Sequence, residues 1–339
     1  MMKSLVTARF SPLFGLVFYV SLLSCSFVSP EVAAQNIKIT VGQAGINPGA
    51  SLFFIAQKEN LYAKHGLDAN IIATSSTASA VQAMLGGSMH IITGGAGGAY
   101  VTAVLEGTPP FVLVSSWVNV FPYKLVARKE ILKPQDLKGR TGQIGSTFGS
   151  ALHAAVGFAL AKVGLDVDRD VKLVQQPRTD WANTLAQMER DEVQFSLLPP
   201  PYDRIGEKRG FRTLVSLPDV GIAWQQNGEW VPKSYLQGNR GTVVRFLRVI
   251  GDAMKVYFEQ RDKTISYLNE FLGSNREDTE YAYDTFLKWV DRNPRPKVEG
   301  IRTTLEAIKR VTPKAASADP ASFIDTSLVD QLVKEGYFR

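Results

Sequence analysis

The sequence predicts an α/β protein of two lobes, each a mainly parallel sheet flanked by helices, with two strands forming the hinge. Three observations lead there. The 339 residues exceed the roughly 250–300 at which a single core stops growing. Strand-like and helix-like segments alternate, then the alternation restarts near Tyr123. The last third is amphipathic and helical, and those helices need a sheet to cover.

The opening residues stand apart. Lys3 and Arg9 precede an uncharged apolar run from Pro12 to Val28, and Val32 and Ala34 suit a signal-peptidase site. We expect residues 1–34 to be a signal peptide cleaved after Ala34. An uncleaved anchor is one alternative. Lipidation at Cys25 is the other, although Leu23 fits a lipoprotein box poorly. Cys25 is the only cysteine, so the processed chain has neither disulfides nor thiol chemistry.

The first unit starts with the alternating strand Asn36–Gly42. Gly45–Gly49 turns the chain into a helix over Ser51–His65, closed by Gly66. Leu67–Ala73 is a strand, and Thr74–Thr77 opens a helix with Ala80, Val81, Met84 and Leu85 on one face. His90–Thr93 is a strand running into Gly94–Gly98, Tyr100–Leu105 is a helix and Phe111–Ser115 a strand. The second unit repeats the scheme. Its strands are Tyr123–Arg128, Thr141–Gly145, Val171–Gln175, Gln194–Leu198 and Phe211–Ser216. One helix carries Leu152, Val156, Leu160 and Val163, and another runs from a Thr179 or Asp180 cap to Met188. Beyond it, Val243, Leu247, Ile250, Met254 and Tyr257 form an apolar stripe, with Arg245, Arg248, Asp252, Lys255 and Glu259 opposite. Further helices are expected over Thr264–Leu272, Glu277–Asp291 and Gly300–Val311, and Pro313–Pro320 reads as a surface loop. The second unit is short, so the economical arrangement inserts it: 35–120 plus 217–339 as the first lobe, 121–216 as the second. The hinge then falls near Val120–Arg128 and Thr213–Asp219.

Ligands of open α/β sheets bind beyond the carboxyl ends of the strands. Five loops there are rich in Gly, Ser, Thr or Asn, and four lead into helix N-termini whose free N–H groups favour anions. From them we select Gly45, Asn47, Ser51, Ser75, Ser76, Gly94, Gly95, Ala96, Ser146, Thr147, Ser150 and Asp180 as candidate ligand contacts. Each loop taken singly is better explained as a helix cap; it is their convergence that points to a ligand. Trp117 is the first aromatic candidate, ahead of Trp181 and Trp224, and Pro200 in Pro199-Pro200-Pro201-Tyr202 offers a rigid wall.

Enzyme chemistry finds no carrier. His65, His90 and His153 are the only histidines, and no two have metal-ligand spacing. His65 reads as a helix-end cation, while a ligand role for His90 or His153 stays open. Gly145–Gly149 places its serine one position early for a nucleophile elbow, Gly94–Gly98 puts Tyr100 where a dinucleotide motif needs glycine, and no phosphate-binding P-loop occurs. We expect no catalytic residue, metal or cofactor. The net charge of +6 falls to +5 without Lys3, Arg9 and Glu31, and its scatter excludes a nucleic-acid stripe.

AQKENLYAKHGL at 56–67, AVQAMLGGSMH at 80–90, DLKGRTGQIGSTFG at 136–149, LAKVGLD at 160–166, LLPPPYDRIGEKRGFR at 197–212 and the segment Phe323–Gly336 together resemble one family. It is the periplasmic solute-binding proteins of ABC importers for sulfonates, nitrate, taurine and thiamine-pyrimidine precursors. His90 departs from it, standing where relatives carry an acid. The resemblance implies a two-lobed, type II-like binding-protein fold. It also implies a periplasmic monomer that closes on a small anionic or polar organic solute and passes it to a permease and its ATPase. It leaves two alternatives: a sensor for a membrane receptor, and a pyrimidine-precursor enzyme on the same fold.

Overall fold

A computed structural model describes residues 35–338, except 75–76, 95, 147, 149 and 177–179. The expected signal peptide, its Ala34 boundary and Cys25 lie outside the described residues, as do Ser75, Ser76, Gly95 and Thr147.

The first sheet contains β1 (Ile37–Gln43), β2 (Leu67–Ala73), β3 (Ile91–Thr93), β4 (Phe111–Val118) and β10 (Asn227–Pro232), in the order β2-β1-β3-β10-β4. The second contains β5 (Lys124–Ala127), β6 (Thr141–Gln143), β7 (Lys172–Val174), β8 (Phe195–Leu198) and β9 (Arg212–Ser216), in the order β7-β6-β8-β5-β9. The two orders are the same plan. In each sheet the fourth place is taken by an antiparallel strand that arrives directly from the other sheet: β10 between β3 and β4, β5 between β8 and β9. The chain passes between sheets twice, after β4 and after β9.

Helices cover the sheets as the apolar spacing requires. α3 (Thr77–Leu85) and α4 (Gly98–Leu105) bury Ala80, Val81, Met84, Tyr100 and Val101 with Ile92, Leu113 and Trp230 on one face of the first sheet. The other face, with Ile39, Val41, Ile91 and Val114, meets α1 (Leu52–Lys58) and α9 (Arg240–Glu259), whose stripe from Val243 to Tyr257 is buried throughout. α5 (Ala151–Lys162), α6 (Trp181–Glu189) and α7 (Tyr202–Lys208) serve the second sheet, α5 and α6 burying Val156, Leu160, Leu185 and Met188 in its core. The remaining helices are α2 (Leu61–Lys64), α8 (Lys233–Gly238), α10 (Arg261–Leu272), α11 (Arg276–Phe286), α12 (Val298–Ile308) and α13 (Ser327–Lys334).

Four expectations need correction. The single helix over Ser51–His65 is a 3-10 turn at Pro48–Ser51, then α1 and α2, because Asn60 adopts the left-handed region (φ 53°) that asparagine tolerates. Strand β10 was read as part of the helical third. Its sequence NGEWVP begins with turn residues and carries a charge, yet Glu229 and Trp230 are fully buried. Gly228 is demanded there, because a Cβ would lie 2.2 Å from the Ser115 carbonyl oxygen of the neighbouring strand. Pro313–Pro320 is no mere surface loop, since Ala315 in its 3-10 turn is buried in the core beside α12. Finally, Asp252 is not part of a solvated face: it is 7% exposed and bonded to Lys64, His65, Lys255 and Tyr337.

Candidate functional site

The loop after β1 is held from beneath. Ala44 donates its N–H to the Thr93 carbonyl (3.0 Å). Gly45 takes φ 81°. The Asn47 side chain accepts from Ala50 N–H at 3.0 Å, and the Ser51 hydroxyl donates to the Pro48 carbonyl at 2.7 Å. Trp117 is fully buried and gives its indole N–H to the Gly49 carbonyl at 2.8 Å. Asn47, Ser51 and Trp117 therefore fix the loop from within, and Trp117 forms no exposed wall. The loop after β3 is fixed by β10. Gly94 N–H donates to the Gly228 carbonyl (3.1 Å), and the Gly94 carbonyl accepts from Asn227 Nδ2 (2.8 Å). Ala96 is half-buried and packs on the core of the second lobe.

The two crossings are bonded to each other. Gln226 N–H donates to the Val118 carbonyl (2.9 Å) and Trp224 N–H to the Asn119 carbonyl (3.1 Å). Gln226 Nε2 donates to the Tyr123 hydroxyl (3.2 Å), and Phe121 stacks on Trp224 with centroids 4.2 Å apart. Tyr123 in turn lies 6.2 Å from Trp181.

In the second lobe, Gly145 takes φ 71°, and a Cβ there would lie 2.8 Å from the Trp181 ring, so glycine is required twice over. The Ser146 carbonyl accepts from Gln176 N–H (3.0 Å). Ser150 caps α5 by accepting from His153 N–H (3.3 Å), and Asp180 caps α6 by accepting from Asn183 N–H (2.9 Å). Pro200 is buried. The loops carrying Ser146, Ser150 and Asp180 thus sit together at the ends of β6 and β7, while those carrying Gly45, Asn47 and Gly94 sit together at the ends of β1 and β3.

No local sequence pattern singles out Tyr123, Gln226, Asn227 or Glu229 as site residues. The one available signal was the run Gln225-Gln226-Asn227 beside a crossing. Several oxygens in this region are buried without a protein partner: Gln226 Oε1, Asn227 Oδ1, Glu229 Oε2 and Ser115 Oγ. Because the Gly94 carbonyl can only accept, the orientation of the Asn227 amide is set and its oxygen is the spare atom. Gln43, Thr93, Glu229 and Ser115 face each other across four adjacent strands, a buried polar row under the first-lobe loops. Burial pushes the Glu229 carboxyl well above the usual range, against a hydrogen bond from the Thr93 hydroxyl. Burial also lowers the basicity of His153, whose ring meets Phe148 edge-on at 5.2 Å. Among the described residues no cluster of three or more His, Cys, Asp or Glu could hold a metal.

Comparison with known proteins fits this architecture. A binding protein of Brucella abortus is 28% identical over 174 residues, which is 51% of this chain and 52% of the relative; the match spans about half of that relative's length. The alkanesulfonate-binding protein SsuA of Xanthomonas axonopodis, bound to MOPS, superposes with TM-score 0.68 at 15% identity, covering 87% of this chain and 100% of that one. The desulfurization enzyme DSZB superposes equally well, TM-score 0.68 at 15% identity, over 89% of this chain and 100% of the other. These likenesses establish the two-lobed binding-protein fold. The NMT1/THI5-like family matches residues 47–264, well over half of the sequence, and the chain belongs to that family.

Proposed function

We propose that this protein is the extracytoplasmic solute-binding component of an ABC importer. In this reading 1–34 is a signal peptide, 35–120 plus 217–339 form one lobe and 121–216 the other. The observation that carries it is the joint: two sheets of the same strand order, connected by two mutually bonded crossings, with the helix-start loops of each sheet beside that joint. A small solute with a polar or anionic head binds Gly45–Ser51 and Gly94–Ala96 on one side and Ser146–Ser150 and Asp180 on the other. Tyr123 and Trp181 supply the apolar surface. Backbone amides at the helix starts favour a negative head by about 0.3–1 kcal/mol each. Closure follows only as far as the solute prefers the closed arrangement. The closed form is what the permease and its ATPase partner receive, and the protein works as a monomer without metal or cofactor.

A thermal-shift panel tests this. Sulfonates, taurine, nitrate, bicarbonate, aromatic carboxylates, nitriles and pyrimidines are screened against the purified protein, and hits are recovered and analysed. A hit at 100 times its dissociation constant adds about 2.7 kcal/mol of stability and is returned unchanged. Chemical turnover of the hit would instead favour an enzyme on this fold.

A further inference from the structure

A second charged concavity lies at the opposite edge of the first sheet. Arg240, Arg245 and Arg248 of α9, Lys64 and Gly66 at the end of α2, and Gln331 of α13 line an open groove of about 760 Å³. Among the described lining residues there is no aspartate or glutamate. Ile37 N–H, at the start of β1, donates to the Gly66 carbonyl (2.9 Å), so the groove borders the N-terminal ends of β1 and β2. The loops of the proposed solute site follow the C-terminal ends of β1 and β3, roughly 20 Å away at the rise of a seven-residue strand.

The walls are rigidly tied. Buried Asp252 accepts from Lys64 Nζ (2.7 Å) and the Tyr337 hydroxyl (2.7 Å) and bonds His65 Nε2 (2.9 Å), which links α2, α9 and the chain's last residues. Arg248 pairs with Glu335 at 2.9 Å. Lys64 and Arg248 are thereby compensated by carboxylates. Arg240 and Arg245 are not: among the described residues each is held only by a neutral oxygen. Arg240 donates to the Ser327 hydroxyl (3.1 Å) and Arg245 to the His65 carbonyl (3.0 Å). Each is exposed and keeps the rest of its guanidinium fork for another acceptor.

We propose that this groove is a second binding site, taking a phosphate group. Two uncompensated guanidiniums fixed by neutral partners suit a tetrahedral oxyanion, which each fork meets with parallel N–H donors. The groove also has room for the body that carries the phosphate. The same chemistry reaches an exported protein from a small soluble phosphate or from an anionic phospholipid headgroup.

The test measures inorganic phosphate binding by calorimetry and protein flotation with phosphatidylglycerol vesicles, using phosphatidylcholine vesicles as the uncharged comparison. Three proteins are compared: the unaltered chain, Arg240→Gln/Arg245→Gln, and Lys288→Gln/Arg302→Gln, which removes the same charge from exposed positions outside the groove. The proposal expects the groove pair to lose about tenfold in affinity and the distant pair less than about twofold. Binding of inorganic phosphate identifies a soluble ligand; binding confined to phosphatidylglycerol identifies a headgroup. The proposal is overturned if the unaltered protein binds neither probe, or if both pairs weaken binding equally, which would mean diffuse charge alone.

Discussion

Single residues here do work that their neighbours dictate. Glu229 stands in the middle of the first sheet with one oxygen on Thr93 and the other without a partner. Its folded-state pKa is raised, so its contribution is fully present below the unfolded value near 4.5 and is lost as pH rises through the folded value. Glu229→Gln keeps the shape and cannot ionise. The variant gains thermal stability relative to the unaltered protein as pH is taken from 5 to 9, with melts at each pH as the readout. A constant difference across that range would refute the assignment. His90 has the opposite sense. Burial lowers its pKa, and its Nδ1 accepts from Thr40 N–H at 2.9 Å, so folding favours the neutral ring. Stability therefore falls as pH drops below about 6.5, where the unfolded chain begins to take up the proton first. His90→Asn, which retains an acceptor, removes part of that acid sensitivity in the same melts. The bond to Thr40 gives the residue a structural role between strands.

At the scale of elements, helix starts and strand ends were legible because they are local. Gly66, the Ser150 and Asp180 caps and the stripe of α9 all follow from short-range spacing, and each stands where that spacing puts it. β10 was not legible, because its stability comes from β3 and β4 on either side and from the buried Trp230, none of which is near in sequence. Trp117 shows the same limit at the site: its residue type suggested a ligand wall, but the Gly49 carbonyl claims its N–H. Trp117→Phe leaves that buried carbonyl unsatisfied and costs about 1–3 kcal/mol in denaturant unfolding, with weaker solute binding only as a consequence of a loosened loop. Asp180→Ala removes the α6 cap and costs about 0.5–2 kcal/mol in the same assay. If Asp180 also touches solute, affinity falls by more than the loss of stability at unchanged fold explains, and titration of a screened hit separates the two effects.

For the whole molecule, two sets of polar contacts between the lobes stand out among the described residues. Near the crossings, the Tyr281 hydroxyl of α11 donates to Asp203 of α7 at 2.7 Å and accepts from Lys124 Nζ at 3.3 Å, and Lys208 pairs with Asp278 at 3.2 Å. Asp203 is fully buried, so this side is a fixed seam. Elsewhere Arg310 after α12 meets Asp168 after α5 at 2.5 Å, with both side chains largely exposed. An exposed pair contributes no more than about 1 kcal/mol, so Arg310→Ala weakens solute binding by at most about fivefold. A larger loss in a binding titration would give that pair a greater part in closure than its exposure permits. The doubled strand plan and the two crossings were foreseeable from a strand-helix pattern that restarts, whereas the seam was not, because its partners lie 70 and more positions apart.

In the proposed function two lobes move together over a solute. Small-angle X-ray scattering of the purified protein, alone and with a saturating hit from the thermal-shift panel, measures that motion without a label. Closure about the two crossings predicts a smaller radius of gyration with solute bound. Superimposable profiles for a solute whose binding is independently established would contradict it.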